Sequence, residues 1–383
     1  MTLDRTSISG DDSPRSCRRD RRHRPRSLVV ISTIAPVALL ALVPMPASVP
    51  GEEAVLHAAG VTSARIETMR PFAVLDPELA PVRAGGASLS DSFETAVAPF
   101  GVMLDQQAIE YEVMAVPVLP GAVVDLRVAG ADGPIRFGLR FAEGKLLETT
   151  SDGWMWQAPE EAGISALQIE AEGSTDAVHI NVMVLHPREH VAEEALHGYR
   201  IGRYQERPLR GNPVYIEPEG FIEVPAEAED ILVSPHFTVG QFLSKQPGSP
   251  RFLALSMPLV HKLEAVLTAA NASGIETRTF HVMSGFRTPW YNEAIGNKTI
   301  YSRHLWGDAA DIFVDVDGDH DMDDINGDGR ADAGDARVLA DLVAQVESSG
   351  RPGILAGGIG LYRRASHRGP FVHVDARGQA ARW

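Results

Sequence analysis

Asp311 stands at the head of the apolar run Ile312-Phe313-Val314, and that placement restricts the fold of this chain more than any other single feature. The run reads as a buried strand, and a buried carboxylate costs free energy unless a partner neutralises it. The stretch Ser302-Arg-His-Leu-Trp-Gly-Asp-Ala-Ala-Asp311 contains a solution. His304 and Asp311 are an imidazole and a carboxylate, donor types that suit a borderline-soft divalent cation. Gly307 allows a tight bend between them, and Ala309 and Ala310 are small enough for a strand to pack closely beneath. Without a metal, the same residues would form a surface turn.

The full pattern Ser302-x-His304-x-x-Gly307-x-Ala309-x-Asp311 resembles the first zinc-binding motif of the D-alanyl-D-alanine carboxypeptidases and endopeptidases, the LAS-type metallopeptidases of family M15. Gly369-Pro-Phe-Val-His-Val-Asp375 is similar to their second motif, which carries the third ligand. Ser284-Gly-Phe-Arg-Thr-Pro289 resembles the stretch that precedes the first motif in that group, and Ser234-Pro-His-Phe-Thr238 resembles an opening segment often seen there. The resemblance implies an α+β domain of the LAS/hedgehog type with a small antiparallel sheet and zinc held by His304, Asp311 and His373. It implies hydrolysis of D-amino-acid-containing peptides in bacterial peptidoglycan, by an endopeptidase or a carboxypeptidase. Arg287 is then the candidate to hold a peptide carboxylate or carbonyl through paired hydrogen bonds, against a plain salt bridge within its loop. Ser302 and Tyr362 are further substrate-binding candidates. Tyr362 closes Gly357-Gly-Ile-Gly-Leu-Tyr362, similar to a segment beside the cleft of relatives, where glycines permit close backbone approach.

The last motif leaves two assignments open. Relatives carry a His two residues, or a Glu three residues, before the ligand to work on the attacking water; here Phe371 and Pro370 stand there. Either His373 is the ligand and Asp375 the base or an outer partner, or His373 is the base and Asp375 the ligand. A subfamily with the same Phe-Val-His-Val-Asp ending favours the first. Three protein ligands with a free fourth position are what a catalytic zinc requires, and Asp375 would accept the water's proton.

Between the two motifs, carboxylates crowd the segment 315–335, and such a run stays disordered unless cations neutralise it. Asp324, Asn326, Asp328, Asp332 and Asp335 fall at positions 1, 3, 5, 9 and 12 of an EF-hand-type loop, with Gly329 at 6 and the Arg330 carbonyl at 7. The terminal Asp in place of Glu gives it the look of a dockerin loop, with calcium bracing the insertion. Leu339, Leu342, Val343 and Val346 predict a helix directly after. Asp315, Asp317, Asp319, Asp321 and Asp323 form a candidate second calcium group, in which His320 occupies the place where glycine is wanted.

The rest of the chain frames this region. Arginines from Arg15 to Arg26 precede the apolar run Leu28 to Val43, the pattern of an export signal or a short anchor within 1–47, which points to the periplasm or cell envelope. The net charge of −16 disfavours nucleic acid as a partner. Cys17 is the single cysteine, so an intrachain disulfide is excluded. Residues 48–85 read as a linker. Residues 86–187 read as an all-β immunoglobulin-like sandwich, with alternation at Val124, Leu126 and Val128 and at Val178, Ile180, Val182 and Val184, and with Trp154 and Trp156 as core aromatics. Residues 188–230 read as a connector, and 231–383 as the zinc peptidase domain. Two other classes compete: a zinc- and wall-binding module without turnover, and a calcium-dependent adhesion or assembly protein.

Overall fold

Among the described residues, the region up to Val184 forms ten strands, several of which carry the alternation of apolar and polar residues. They are β1 (Phe72–Leu75), β2 (Val97–Leu104), β3 (Gln107–Tyr111), β4 (Val113–Val118), β5 (Val123–Val128), β6 (Phe137–Phe141), β7 (Lys145–Thr149), β8 (Gly153–Gln157), β9 (Gly163–Ala171) and β10 (Ala177–Val184). The computed structural model describes residues 70–85, 96–129 and 135–383. All of these fall in the unit Arg65–Trp383, one of two into which the chain divides. The arginine-rich start, Cys17, the apolar run and the linker up to residue 69 lie outside the described residues. Among the described residues no helix is long and apolar enough to cross a membrane. The fold is mixed, with strands in several sheets and, among the described residues, three α-helices.

Two five-stranded sheets make up the first region, in the orders β1-β6-β9-β10-β4 and β3-β2-β5-β8-β7. In β5, Val124, Leu126 and Val128 are buried while Arg127 faces out, as period two requires. Trp154 and Trp156 of β8 are fully buried, and their indole N–H groups donate to the carbonyls of Phe72 and Glu143. Deleting either ring would cost about 3–5 kcal/mol. The two-sheet region begins earlier than the sequence suggested, because β1, inside the segment read as a linker, pairs in parallel with β6. Phe72-Ala-Val-Leu75 has no alternation to reveal it, and its partner lies more than 60 residues away. β10 departs from simple alternation as well. Asn181 is buried along with the valines, since its amide bonds Val82 and Leu232 and so ties the two-sheet region to the chain that follows.

The segment 188–230 is likewise more than a connector. Gly220–Val224 is the middle strand of a three-stranded sheet, and Phe221, Ile222 and Val224 are buried. Tyr204 donates to the Leu305 carbonyl, and Ile216 accepts from the Trp306 indole, so this segment cradles the turn that bears His304.

A third five-stranded sheet carries the motifs. Its order is His281–Ser284, Ala309–Phe313, Phe371–Asp375, Gly358–Tyr362 and Ala381–Arg382, antiparallel except at the last pair. Helices α1 (Met257–Ala272), α2 (Pro289–Ala294) and α3 (Ala333–Ser348) accompany it. Helix α1 starts after Ser256 with Pro258 in its first turn and ends at Gly274, whose φ of +91° suits glycine alone. Leu259, Leu263, Val266 and Leu267, at helical spacing, are fully buried. So is Lys262, whose ammonium bonds Glu347 at 2.7 Å and the Asp375 carbonyl at 2.5 Å. Helix α3 follows the acidic insertion and buries Leu339, Leu342, Val343 and Val346.

Candidate metal centre

Strand register is what assembles the centre. Asp311 lies directly opposite His373 on one side and Ser284 on the other, and Gly360 lies opposite His373, so these four residues form one row across the sheet. Residues opposite one another share a face, which brings two chain segments 62 residues apart into contact. His304 arrives from outside the sheet on a 3₁₀ turn, Arg303–Trp306. That turn ends at Gly307 in the left-handed region, φ +68°. A Cβ at Gly307 would lie 2.0 Å from the Ala254 carbonyl oxygen, so only glycine fits. Arg303 locks the turn by a forked pair with Asp308 and by stacking over Tyr215 and Trp306.

His304, Asp311 and His373 are buried, and their potential ligand atoms all lie within 4.8 Å of one another. Asp311 Oδ1 is 3.3 Å from His304 Nε2 and 2.9 Å from His373 Nδ1. Bonds of about 2.0–2.1 Å to a tetrahedral zinc would separate ligand atoms by roughly 3.3 Å. The tautomers also fit. His304 Nδ1 is 2.7 Å from the Gly285 carbonyl, which can only accept, so the proton sits on Nδ1 and the Nε2 lone pair faces Asp311. His373 directs Nδ1 at Asp311 and Nε2 at Asp375 Oδ2, 3.2 Å away. An imidazole held from behind by a carboxylate, and another by a carbonyl, is the arrangement that orients metal-binding histidines.

Charge in the metal-free centre follows from these contacts. Burial pushes the His304 imidazole down, and Asp311 offsets only part of that. Burial would raise Asp311, yet His304 and His373 hold it well below the usual carboxylate range. Burial would lower His373, but hydrogen bonds to Asp311 and Asp375 push it up to about 9. An imidazolium between two carboxylates thus supplies the positive charge that a metal would bring.

Asp375 is fully buried behind His373. Its carboxylate accepts from the Gly358 amide at 2.8 Å, from the Arg377 amide and guanidinium, and meets His373 Nε2. Burial would raise it, but these partners hold it far below the ordinary range. This corrects the expectation that Asp375 acts as a base, since a base needs contact with a water on the open side. Asp375 holds the ring of His373 in position, and the open alternative that made it a metal ligand is not what the geometry assembles. Gly357 and Gly358 are explained at the same time, because a Cβ on either would collide with Asp375.

Arg287 reaches the centre through Asp311: Nη2 is 2.9 Å from Asp311 Oδ2, and Nε donates to Ser284 Oγ at 2.8 Å. The salt bridge considered from sequence was one within the loop; the observed partner is instead the candidate metal ligand, 24 residues further along the chain. Ser302 opens the turn before His304, with its carbonyl accepting from the Leu305 amide. Tyr362 stacks on Phe371 with 4.5 Å between centroids and accepts from the Trp383 indole. Trp383 was missed from sequence. Its ring is 5.2 Å from that of His373, half exposed, and would overlap a Cβ at Gly360. The signal was there in Gly360, a strand glycine facing a ligand, which marks close approach by another group. His236 pairs with Glu264 on α1, a structural role consistent with leaving it out of the ligand set.

The acidic insertion folds around its own carboxylates. Asp324 accepts from the amides of Gly327, Asp328 and Gly329, and the buried Asp335 accepts from those of Ile325, Asn326 and Asp332. Asn326 Oδ1 takes the Asp328 amide, Asp328 takes that of Arg330, and Asp332 with Asp335 forms the cap of α3. The upstream five aspartates do not stay together. Asp315, Asp317 and Asp323 gather within ligand distance of one another. Asp321 is drawn away to Arg364, and Asp319 accepts from the Asp321 amide. The sequence reading of all five as one calcium group is corrected accordingly: a basic side chain from the far end of the domain competes for Asp321. His281 is half-buried, flat against Phe313, and faces Asp315. Neither the family models nor the curated proteins against which the chain was compared include a match to it.

Proposed function

We propose that the chain is a zinc-dependent peptidase of the LAS/hedgehog type acting on D-amino-acid-containing peptides of bacterial peptidoglycan. In this reading it is exported to the periplasm or cell envelope, and the two-sheet region is an immunoglobulin-like spacer or wall-binding module. The observation that carries the reading is the buried His304, Asp311 and His373 donor set with both rings already oriented. Two imidazoles and one carboxylate match the ligand class of catalytic zinc, which leaves a coordination place free. Bound there, zinc would supply Lewis acidity and lower the pKa of a water.

The chain's own residues divide the remaining work. Gly285 and Asp375 fix the rings of His304 and His373. Arg287 spends Nε and Nη2 on Ser284 and Asp311, two of its five N–H groups, and offers the rest of its fork to a substrate carbonyl or carboxylate. Trp383, with Tyr362 and Phe371 beside it, forms an aromatic wall along the approach to His373. In the acidic insertion, calcium on Asp324, Asn326, Asp328, Arg330, Asp332 and Asp335 would brace the start of α3, and so the sheet on which α3 packs.

One observation favours a second reading, a zinc- and peptide-binding module without turnover. Phe371 and Pro370 stand where relatives carry an acid or base, and Asp375 is committed behind His373. Incubating zinc-loaded protein with peptidoglycan and analysing released peptides separates the two. Release that disappears in His304→Ala supports the peptidase. Retention on peptidoglycan without release supports the binding module, and release unchanged in His304→Ala overturns zinc chemistry at this site.

A further inference from the structure

We propose that His281, Asp315 and His320 form a second divalent-metal site, distinct from the His304 centre and taking a borderline ion such as zinc rather than calcium. The clue is His320, which stands in the acidic insertion where a calcium loop would place glycine. Its backbone adopts φ +65°, the left-handed region that glycine enters freely and other residues enter at a cost. Strained backbone of this kind persists where surrounding structure demands it, and it concentrates at functional sites. Here it brings the imidazole of His320 to that of His281, edge to face with 5.2 Å between centroids.

The donor geometry resembles that of the first centre. Asp315 Oδ2 lies 3.3 Å from His281 Nδ1 and 3.8 Å from His320 Nδ1, and the three ligand atoms are within 4.8 Å of one another. The His281 ring is fixed by stacking on Phe313, 4.4 Å away and nearly parallel. The Asp315 carboxylate is aimed by the amides of Gly318, at 2.8 Å, and His320, at 3.2 Å. Two imidazoles with one carboxylate select a borderline ion, whereas calcium requires six to eight oxygens. The all-oxygen alternative, Asp315 with Asp317 and Asp323, shares the same Asp315 and has lost Asp321 to Arg364.

The site opens onto a cavity of about 460 Å³, lined also by Lys245, His367 and Arg368, so solvent and small ligands reach the ion. Phe313, which pairs with His281 across the sheet and stacks on its ring, is two residues beyond Asp311, or roughly 7 Å along the strand. That exceeds the spacing of about 3.5–4 Å in a bridged two-metal centre, so the second ion is held independently of the first.

The test uses the full chain, stripped of metal, loaded with zinc in the presence of excess calcium, desalted and assayed for zinc per chain. His320→Gly suits the left-handed backbone, so it removes the ligand and relieves strain together. The expected content is two zinc ions in the wild type, one in His320→Gly, one in His304→Ala and none in the double variant. Wild-type zinc content in His320→Gly overturns the proposal. So does expulsion by calcium of the one ion that His320→Gly lacks, which would assign the site to the oxygen-only cluster. Because His304→Ala reports only on the first centre, failure of the peptidase reading and failure of this one give different patterns.

Discussion

In the metal-free protein His373 holds a proton that zinc must displace. The ring lies between Asp311 and Asp375, 2.9 and 3.2 Å away, and these contacts push its pKa up to about 9 against the lowering effect of burial. At pH 7 the neutral form is then about 1% of the total, a penalty of about 2.7 kcal/mol on zinc binding. His304 is lowered by burial, and Asp311 is held low by the two histidines, so His373 is the member of the set pushed upward. The apparent zinc affinity should therefore rise about tenfold per pH unit from pH 7 to 8.5, then level off above about pH 9. Calorimetry at pH 7 in buffers of different ionisation enthalpy should find close to one proton released per zinc at this centre, resolved in His320→Gly to isolate it. The stability of the metal-free protein follows the opposite sign. The contribution from the raised His373 pKa is fully present below the unfolded value of about 6.5 and is lost as pH rises through about 9. A proton count near zero, with zinc affinity flat across this range, would refute the argument. In Asp375→Asn the count should fall, because one of the two carboxylates that hold the proton is gone, and zinc affinity should drop about 10- to 100-fold.

Three further outcomes follow from other contacts. Arg287→Lys replaces the fork between Asp311 and the substrate, so peptide release should fall by about 10²-fold or more while zinc content stays at the wild-type level; unchanged release rates would remove Arg287 from the reaction. Gly307→Ala faces both a φ of +68° and a carbonyl 2.0 Å from the new Cβ, so the unfolding free energy should fall by about 1–3 kcal/mol, read as a lower urea midpoint at constant m, with weaker zinc binding because His304 is misplaced. Removing calcium with a chelator that spares zinc should lower Tm by about 3 °C or more, since a ligand at a hundred times its Kd contributes about 2.7 kcal/mol; an unchanged Tm would leave the Asp324 to Asp335 loop without a bound ion.

Local chemistry in the sequence announced the parts of the site. An imidazole and a carboxylate around Gly307, a histidine inside an apolar run, and glycines at 357, 358 and 360 each state a requirement that neighbouring residues alone make readable. Period two revealed β5 and β10, and helical spacing revealed α3, because these patterns depend only on the geometry of a single element. Partnership between distant segments was not readable in that way. β1 carries no periodic mark and becomes a strand only because β6 is beside it, and the segment 188–230 looked like a connector until Tyr204 and Ile216 were found holding the His304 turn. The role of Asp375 was also undecided, since alternation places it on the face of His373 whether it works as base, ligand or support. Register opposite Ala309, with Arg377 and Gly358 closing around its carboxylate, made it the support. Residue type and spacing along the chain determined which groups were present; long-range strand pairing decided which of them face a common point, because that depends on contacts between elements that no single segment encodes.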